Sequence, residues 1–235
     1  MKGLILVGGL GTRLGAEARG RPKALMKVAG RPFLEYLILQ LRKAGVLDVV
    51  LCTGYLGDQI EQHFRRGSAW GVHISYSRDP YPLGTGGAIR RAADAEAERF
   101  LVMNGDSFLG IDLNALINYH CSIGAMATMG LVEVVNGTSY GSVQIDANGA
   151  VKRFEEKGEV RGTTVVNGGV YVFEGEVIKI MPGGAFSLES EFLPRLVREG
   201  RLFGMVTQGF FVDIGTPTSL SKLAECPRPL LDAVE

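Results

Sequence analysis

Histidine is almost missing from this chain: His63, His73 and His120 are the three in 235 residues. None stands at a useful spacing from a serine, cysteine or acid, so no histidine-based chemistry is assigned. Cysteine is as scarce. Cys52, Cys121 and Cys226 are odd in number and widely spaced, which argues against a paired disulfide framework or a zinc cluster and predicts reduced thiols in a cytoplasmic protein. Charge of either sign is not in excess, since 25 Lys and Arg balance 25 Asp and Glu. Nothing therefore argues for a nucleic-acid or anionic-membrane partner, and any phosphate binding must come from a local cluster of cations and amides. Long apolar runs are missing too. The first, after Met1-Lys2-Gly3, breaks at Gly8-Gly9, too short for a signal-peptide core plus cleavage site and far too short to span a membrane. No linker, low-complexity segment or internal repeat is visible, so the expectation is one domain over 1–225, with a loosely held tail at 226–235.

What the chain does carry is an apolar strand that runs into a loop of small residues. It reads Leu4-Ile5-Leu6-Val7-Gly8-Gly9-Leu10-Gly11-Thr12-Arg13-Leu14, with Pro22-Lys23 following. Glycine tolerates φ > 0 and close approach, so such a loop can turn backbone N–H groups toward an anion. Two nearby cations, Arg13 and Lys23, suit a polyphosphate better than a carboxylate. The dinucleotide fingerprint G-x-G-x-x-G begins at Gly9-Leu10-Gly11 but meets Leu14 where its third glycine belongs. A P-loop would need Gly-Lys-Ser/Thr, which is missing.

The remaining order is strand, helix, strand. Phe33–Gly45 has proline before its first turn, cations in its last turn and a closing glycine, which marks a helix. Asp48–Thr53 and Phe100–Met103 are apolar throughout, as strands covered on both faces should be. Further helices are expected over 58–64, 86–93 and 112–121, and a further strand over 72–76. This rhythm predicts an α/β fold with a mixed, mainly parallel sheet, whose ligands bind at the carboxyl ends of the strands. The glycine loop and Asn104-Gly105-Asp106 fall at those ends. Beyond residue 121 the texture changes to short β-like runs, giving a β-rich part over about 111–215 beside a nucleotide-binding part over about 1–110. Ser187 is read as the cap of a helix covering 191–198, and a last helix as starting at Pro217.

Gly8-Gly9-Leu10-Gly11-Thr12-Arg13-Leu14 and Pro22-Lys23-Ala24-Leu25 together resemble the signature of the sugar-1-phosphate nucleotidylyltransferases. The similarity continues, in that family's order, through Pro82–Ile89, Asn104-Gly105-Asp106, Glu156-Lys157, Asn167-Gly168-Gly169 and Phe211–Pro217. It departs at Val7, where alanine is usual, and at 15–21, which lacks the common Pro-Leu-Thr run. The resemblance implies a Rossmann-like three-layer fold and attack of a sugar 1-phosphate oxygen on the α-phosphorus of a nucleoside triphosphate, with pyrophosphate leaving. It implies nucleotide contacts from Leu6, Gly8, Gly9, Gly11, Thr12 and Arg13, with loop amides and Arg13 on the β- and γ-phosphates and Lys23 by the α-phosphate. Magnesium would be held by Asp106 and Asp213, at the ends of two strands on one edge of the parallel sheet. The catalytic set is then Arg13, Lys23, Asp106 and Asp213.

The base pocket is expected over 79–87, with Asp79, Gly84, Thr85 and Asn104 on the nucleotide and the glycines allowing a flat base against backbone. A carboxylate only accepts hydrogen bonds, and guanine offers N–H donors along its pairing edge, which tilts the reading toward GTP. For the sugar phosphate, the resemblance implies Lys157, in a Glu156-Lys157 pair that on its own reads as a solvated turn, and Tyr140, Gly141, Asn167, Gly168 and Glu189 are candidates for the sugar. Turn chemistry is the competing reading for Tyr140-Gly141 and Asn167-Gly168-Gly169, and a helix first-turn acid for Glu189. Within the family the motifs look most similar to the D-glycero-α-D-manno-heptose 1-phosphate guanylyltransferases. A uridylyl- or thymidylyltransferase acting on a hexose or N-acetylmuramic acid 1-phosphate, and a non-catalytic sensing or scaffold member, stay open at this stage. Relatives of this kind are often dimers or tetramers, but no interface is legible.

Overall fold

The apolar runs become strands whose two faces are both covered. The computed structural model describes residues 1–9, 20–93, 95–135, 141–155 and 162–234. In chain order β1 (Lys2–Leu6) leads to a 3-10 turn at Lys23–Leu25, the short pair β2 (Lys27–Val28) and β3 (Arg31–Pro32), and α1 (Phe33–Lys43). Then come β4 (Asp48–Thr53), α2 (Gly57–Phe64), β5 (His73–Arg78), α3 (Gly84–Ala92), β6 (Arg99–Asn104), β7 (Ser107–Leu109) and α4 (Leu113–Ile123). The β-rich part holds β8 (Ala127–Val135), β9 (Ser142–Ile145), β10 (Val151–Glu155) and β11 (Thr163–Glu174). It is followed by α5 (Val177–Ile180), α6 (Leu193–Arg198), β12 (Leu202–Thr207), β13 (Phe211–Asp213), α7 (Pro217–Glu225) and α8 (Arg228–Val234).

Among the described residues nine strands share one mixed sheet. Its centre is parallel, in the order β6, β1, β4, β5, with Leu6 opposite Cys52 on one side and Asn104 on the other. β11 joins β6 antiparallel and carries β8 and β9 beyond it. Side chains alternate across the strands, so Leu4, Val50 and Val102 pack with Ile89 and Leu196 on one face. Ile5, Leu51 and Met103 pack with Phe33, Leu37 and Leu41 of α1 on the other. Helices on both faces of a continuous apolar sheet make three layers, as the Rossmann-like expectation has it.

Three local expectations change. The segment expected as a loosely held tail forms α8, with Leu230 fully buried, Val234 nearly so, and Lys43 Nζ donating to the Ala233 carbonyl at 3.3 Å. The helix expected over 191–198 begins earlier, as a π-helical turn at Leu188–Phe192, and becomes regular only from Leu193, where Pro194 sits in the first turn. Asp213 ends no strand of the parallel sheet: β13 pairs antiparallel with β7 in a separate two-stranded arm. The three cysteines are free thiols, and no helix among the described residues is long and apolar enough to cross a membrane.

Candidate active site

The carboxyl ends of β1, β4 and β6 converge, and glycine is what lets them. A Cβ on Gly54 would lie 2.9 Å from the Gly8 carbonyl oxygen, and one on Gly8 would lie 3.2 Å from the Gly54 nitrogen. A Cβ on Gly105 would collide with the Leu6 carbonyl, to which the Gly105 N–H donates at 3.0 Å. Backbone therefore meets backbone at the sheet edge, leaving beside it a cavity of about 560 Å³ lined by Leu6, Gly8, Gly9, Lys23, Asp79 and Asn104 among others. That volume suits a drug-sized or nucleotide-sized ligand. No described atom would lie within 4 Å of a Cβ on Gly9, whose backbone lines the cavity.

Two elements bring opposite charges into that wall. The 3-10 turn after Pro22 carries Lys23, and Asp106 lies two residues past the end of β6. Lys23 Nζ donates to Asp106 Oδ2 at 3.3 Å, with 13% of the lysine side chain and 34% of the aspartate side chain exposed. The β7–β13 arm then delivers the second carboxylate. Asp213 pairs with Ser107 in the ladder, and the Ile214 N–H donates to the Asp106 carbonyl at 2.8 Å. Asp213 Oδ1 accepts from the Gly215 N–H. Two aspartates 107 residues apart in sequence thus sit on neighbouring backbone, by a route different from the shared sheet edge expected. Among the described residues no group of three or more His, Cys, Asp or Glu gathers to hold a metal.

Two acceptors on the cavity lack donors. Asp79 follows β5, its N–H donating to the Thr53 carbonyl at 2.9 Å, yet its Oδ1 is buried without a hydrogen-bond partner. Asn104 Oδ1, on the same cavity, is buried and unpartnered as well. Burial raises the Asp79 carboxyl above its ordinary value, with the Arg91 cation opposing. Burial raises the adjacent Cys52 thiol too, helped by Asp79. An unpaired buried acceptor costs free energy, and a ligand with N–H or O–H donors would remove that cost.

Some expected contacts are used up inside the protein. Gly84 and Thr85 line the cavity, while the Cβ side of the α3 glycines faces another segment. Added Cβ atoms on Gly84 and Gly86 would run into Phe186, and one on Gly87 would lie 2.7 Å from the Gly184 carbonyl, so these glycines admit the 184–187 segment instead. The Thr85 hydroxyl is likewise committed, donating to Glu189 Oε2 at 2.6 Å and accepting from the Leu188 N–H at 2.8 Å. Asn167 Oδ1 accepts from Gly169 N–H at 3.0 Å and its Nδ2 donates to the Tyr171 hydroxyl at 2.6 Å. One amide hydrogen and one bond to its oxygen thus serve the bulge that shifts β11 against β8. That bulge still brings Gly168 against Leu109 and Gly169 against Ser107 and Asn104. Gly141 lies beside it, its carbonyl accepting from Asn167 N–H at 3.1 Å.

Gly11, Thr12, Arg13, Tyr140, Glu156 and Lys157 lie outside the described residues. Sequence reasoning missed Tyr55 and Tyr81, large side chains more than half exposed on the cavity. Both follow predicted or observed strand ends, so the rule that ligands bind at carboxyl ends was the available signal.

A doubly covered, mainly parallel sheet with a glycine-lined strand edge, a lysine and two aspartates on adjoining backbone fits a class of nucleotide-handling proteins. The sequence matches the nucleotidyl transferase family over residues 2–226, and the chain belongs to that family. It is 38% identical over 218 residues to a mannose-1-phosphate guanylyltransferase of Mycobacterium tuberculosis, covering 91% of this chain but 61% of that one. The chain thus spans about three fifths of the length of that relative. To a D-glycero-alpha-D-manno-heptose 1-phosphate guanylyltransferase of Aneurinibacillus thermoaerophilus it is 35% identical over 225 residues, covering 94% and 96% of the two chains. The crystal structure of HddC from Yersinia pseudotuberculosis complexed with GMP-PN superposes with a TM-score of 0.83 at 34% identity, over 95% and 98% of the two chains.

Proposed function

We propose that this protein transfers a guanylyl group from GTP to a sugar 1-phosphate, D-glycero-α-D-manno-heptose 1-phosphate by preference, giving GDP-heptose and pyrophosphate for surface-polysaccharide synthesis. A sugar 1-phosphate oxygen attacks the α-phosphorus, and the bond to the bridging oxygen of the β-phosphate breaks as pyrophosphate leaves with the electron pair. The protein forms no bond in this scheme, so it works by positioning and by neutralising charge.

The observation that carries the reading is one cavity bounded by the Lys23–Asp106 pair and by the unpartnered buried oxygen of Asp79. Asp79 would accept from the N–H groups of guanine, and the loop amides with Arg13 would hold the β- and γ-phosphates. Lys23 would sit by the α-phosphate. Asp106 and Asp213 would hold magnesium, and two carboxylates on adjoining backbone fit an ion that draws its other ligands from phosphate oxygens and water. When bound, that ion supplies further neutralisation of the phosphate charge. Glu189 and the backbone of the Gly168 bulge would face the sugar, with Lys157 on its phosphate.

Mannose 1-phosphate is the second reading, favoured by the 38% identity to the Mycobacterium relative. The test is a matrix of GTP, UTP, dTTP, CTP and ATP against heptose, mannose and glucose 1-phosphates, read by pyrophosphate release. GTP with the heptose is expected to give the highest kcat/KM. A maximum with mannose 1-phosphate moves the sugar assignment, and a maximum with UTP or dTTP overturns the base assignment.

A further inference from the structure

The wall of the nucleotide cavity and the turn that carries Glu189 are fastened together through one hydroxyl. Thr85 is the second residue of α3, and Glu189 lies 104 positions later in the π-helical turn. Thr85 Oγ1 donates its hydrogen to Glu189 Oε2 at 2.6 Å and accepts the Leu188 N–H at 2.8 Å. Ser187 Oγ donates to the same carboxylate oxygen at 3.3 Å while capping the Ser190 N–H at 3.1 Å. Backbone ties reinforce the joint: Gly86 N–H donates to the Phe186 carbonyl at 3.1 Å, and Phe186 N–H to the Leu83 carbonyl at 3.0 Å. Glu189 Oε2 thus receives two hydroxyl hydrogens, whereas Oε1 takes none from the described residues. A carboxylate held by one oxygen presents the other in a fixed direction, which is how an acceptor for a sugar hydroxyl is prepared. The turn itself is of the rare π type, a backbone form frequent at functional sites.

We propose that Thr85 is a positioning residue for the sugar half of the reaction. Its hydroxyl fixes the Glu189 carboxylate so that Oε1 receives a hydroxyl of the sugar 1-phosphate, and it makes no polar contact with the nucleotide. The proposal rests on the sugar-nucleotidyl reading of the preceding subsection. It also gives the two substrates a common wall: α3 borders the nucleotide cavity and, through this hydrogen bond, sets the sugar acceptor.

The experiment compares T85V, T85S and E189Q, alone and as T85V/E189Q, with both substrates varied. T85V keeps the shape and removes the hydroxyl. Its KM for the sugar 1-phosphate is expected to rise about tenfold, the order of one lost hydrogen bond to a charged group, while its KM for GTP stays within about twofold. T85S, which restores the hydroxyl, is expected to recover most of the sugar KM. Because Thr85 acts through Glu189, the double variant should be no worse than E189Q alone. A merely structural role would instead raise both KM values and lower Tm in T85V, with independent effects in the double variant; that result, or a T85V sugar KM within twofold of wild type, overturns the proposal. The wild-type enzyme is read first on the substrate matrix. If it releases no pyrophosphate from any pair, the proposed function fails, and the positioning role that depends on it fails with it; an active wild type with an unmoved T85V overturns the role of Thr85 alone.

Discussion

Lys23 and Asp106, 83 residues apart in sequence, meet at 3.3 Å in the wall of the cavity. The pair is partly exposed, so it adds little to stability, since ion pairs in contact with water are worth from nothing to about 1 kcal/mol. Its value lies in charge placed where phosphate charge would gather. D106N keeps the shape and removes the charge, and D213N does the same on the neighbouring backbone. Each is expected to lower kcat by at least roughly 100-fold, while Tm moves by no more than about 2 °C. Magnesium-dependent turnover at the wild-type rate in either purified variant would end the assignment of these carboxylates.

Gly105 makes the juxtaposition of β1 and β6 possible. An added Cβ would collide with the Leu6 carbonyl and lie 2.7 Å from Val7 Cγ1, and the backbone oxygen cannot swing away. G105A is therefore expected to cost about 1–3 kcal/mol, the usual range for overpacking. That corresponds to a Tm drop of roughly 2–4 °C per kcal/mol at this chain length. Its KM for GTP should rise as well, because Asp106 is the next residue. G9A provides the contrast. Nothing lies within 4 Å of its added carbon, so its Tm should stay within about 1 °C, and an equal loss in both variants would count against the close-approach argument.

The parts of the fold legible in the sequence are those written in local pattern. β4 and β6 could be read because a strand covered on both faces is apolar at every position, and α1 because proline, cations and glycine punctuate its ends. α8 was missed because Pro227 and Pro229 look like breakers, although proline is tolerated in a first turn and Leu230 and Val234 stand four apart on one face. That Asp213 ends a strand of the separate arm and not of the parallel sheet is illegible in the sequence, since no periodicity says which strand a three-residue segment will pair with. The commitment of Thr85 to Glu189 and of Asn167 to its own bulge was invisible for the same reason. A hydrogen bond between side chains leaves no mark on spacing.

His120 makes stability depend on pH away from the cavity. The ring is fully buried between Thr128 Oγ1 at 2.7 Å and Glu174 Oε1 at 3.0 Å. A carboxylate can only accept, so the neutral ring carries its hydrogen on Nε2 and accepts the Thr128 hydroxyl at Nδ1. Burial lowers its pKa from 6.5, against the pull of Glu174. The unfolded chain therefore binds the proton more readily, so the stabilisation is complete above the ordinary histidine value and is lost as pH falls below it through the folded value. Tm should decline on acidification from pH 7 in that window. H120Q, which cannot titrate, should melt lower at pH 7 by the equivalent of about 1–3 kcal/mol but with a flatter acid limb. Parallel Tm profiles for the two proteins would exclude His120 as the source.

Asp79 turns the same linkage the other way, and joins it to binding. Burial raises its carboxyl pKa, so the folded chain holds the proton more tightly than the unfolded chain does. Stability is then lost as pH rises from the ordinary carboxylate value through the folded one, and at neutral pH the ionised, half-buried group opposes folding. D79N removes that charge without changing shape. It is expected to melt higher than wild type at pH 7, and to lose the advantage below the ordinary carboxylate range. Catalysis should move oppositely. An amide offers one acceptor and one unwanted donor where the N1–H and the exocyclic amino group of guanine need two acceptors, so kcat/KM for GTP should fall by roughly 100-fold. In wild type, protonating Asp79 removes an acceptor, so KM for GTP should rise as pH falls through its raised value, and D79N should lack that rise. Lower stability of D79N at pH 7 would contradict the desolvation argument, and undiminished use of GTP would remove Asp79 from base reading. The two readouts separate because the first needs only the apo protein and the second needs guanine in the cavity.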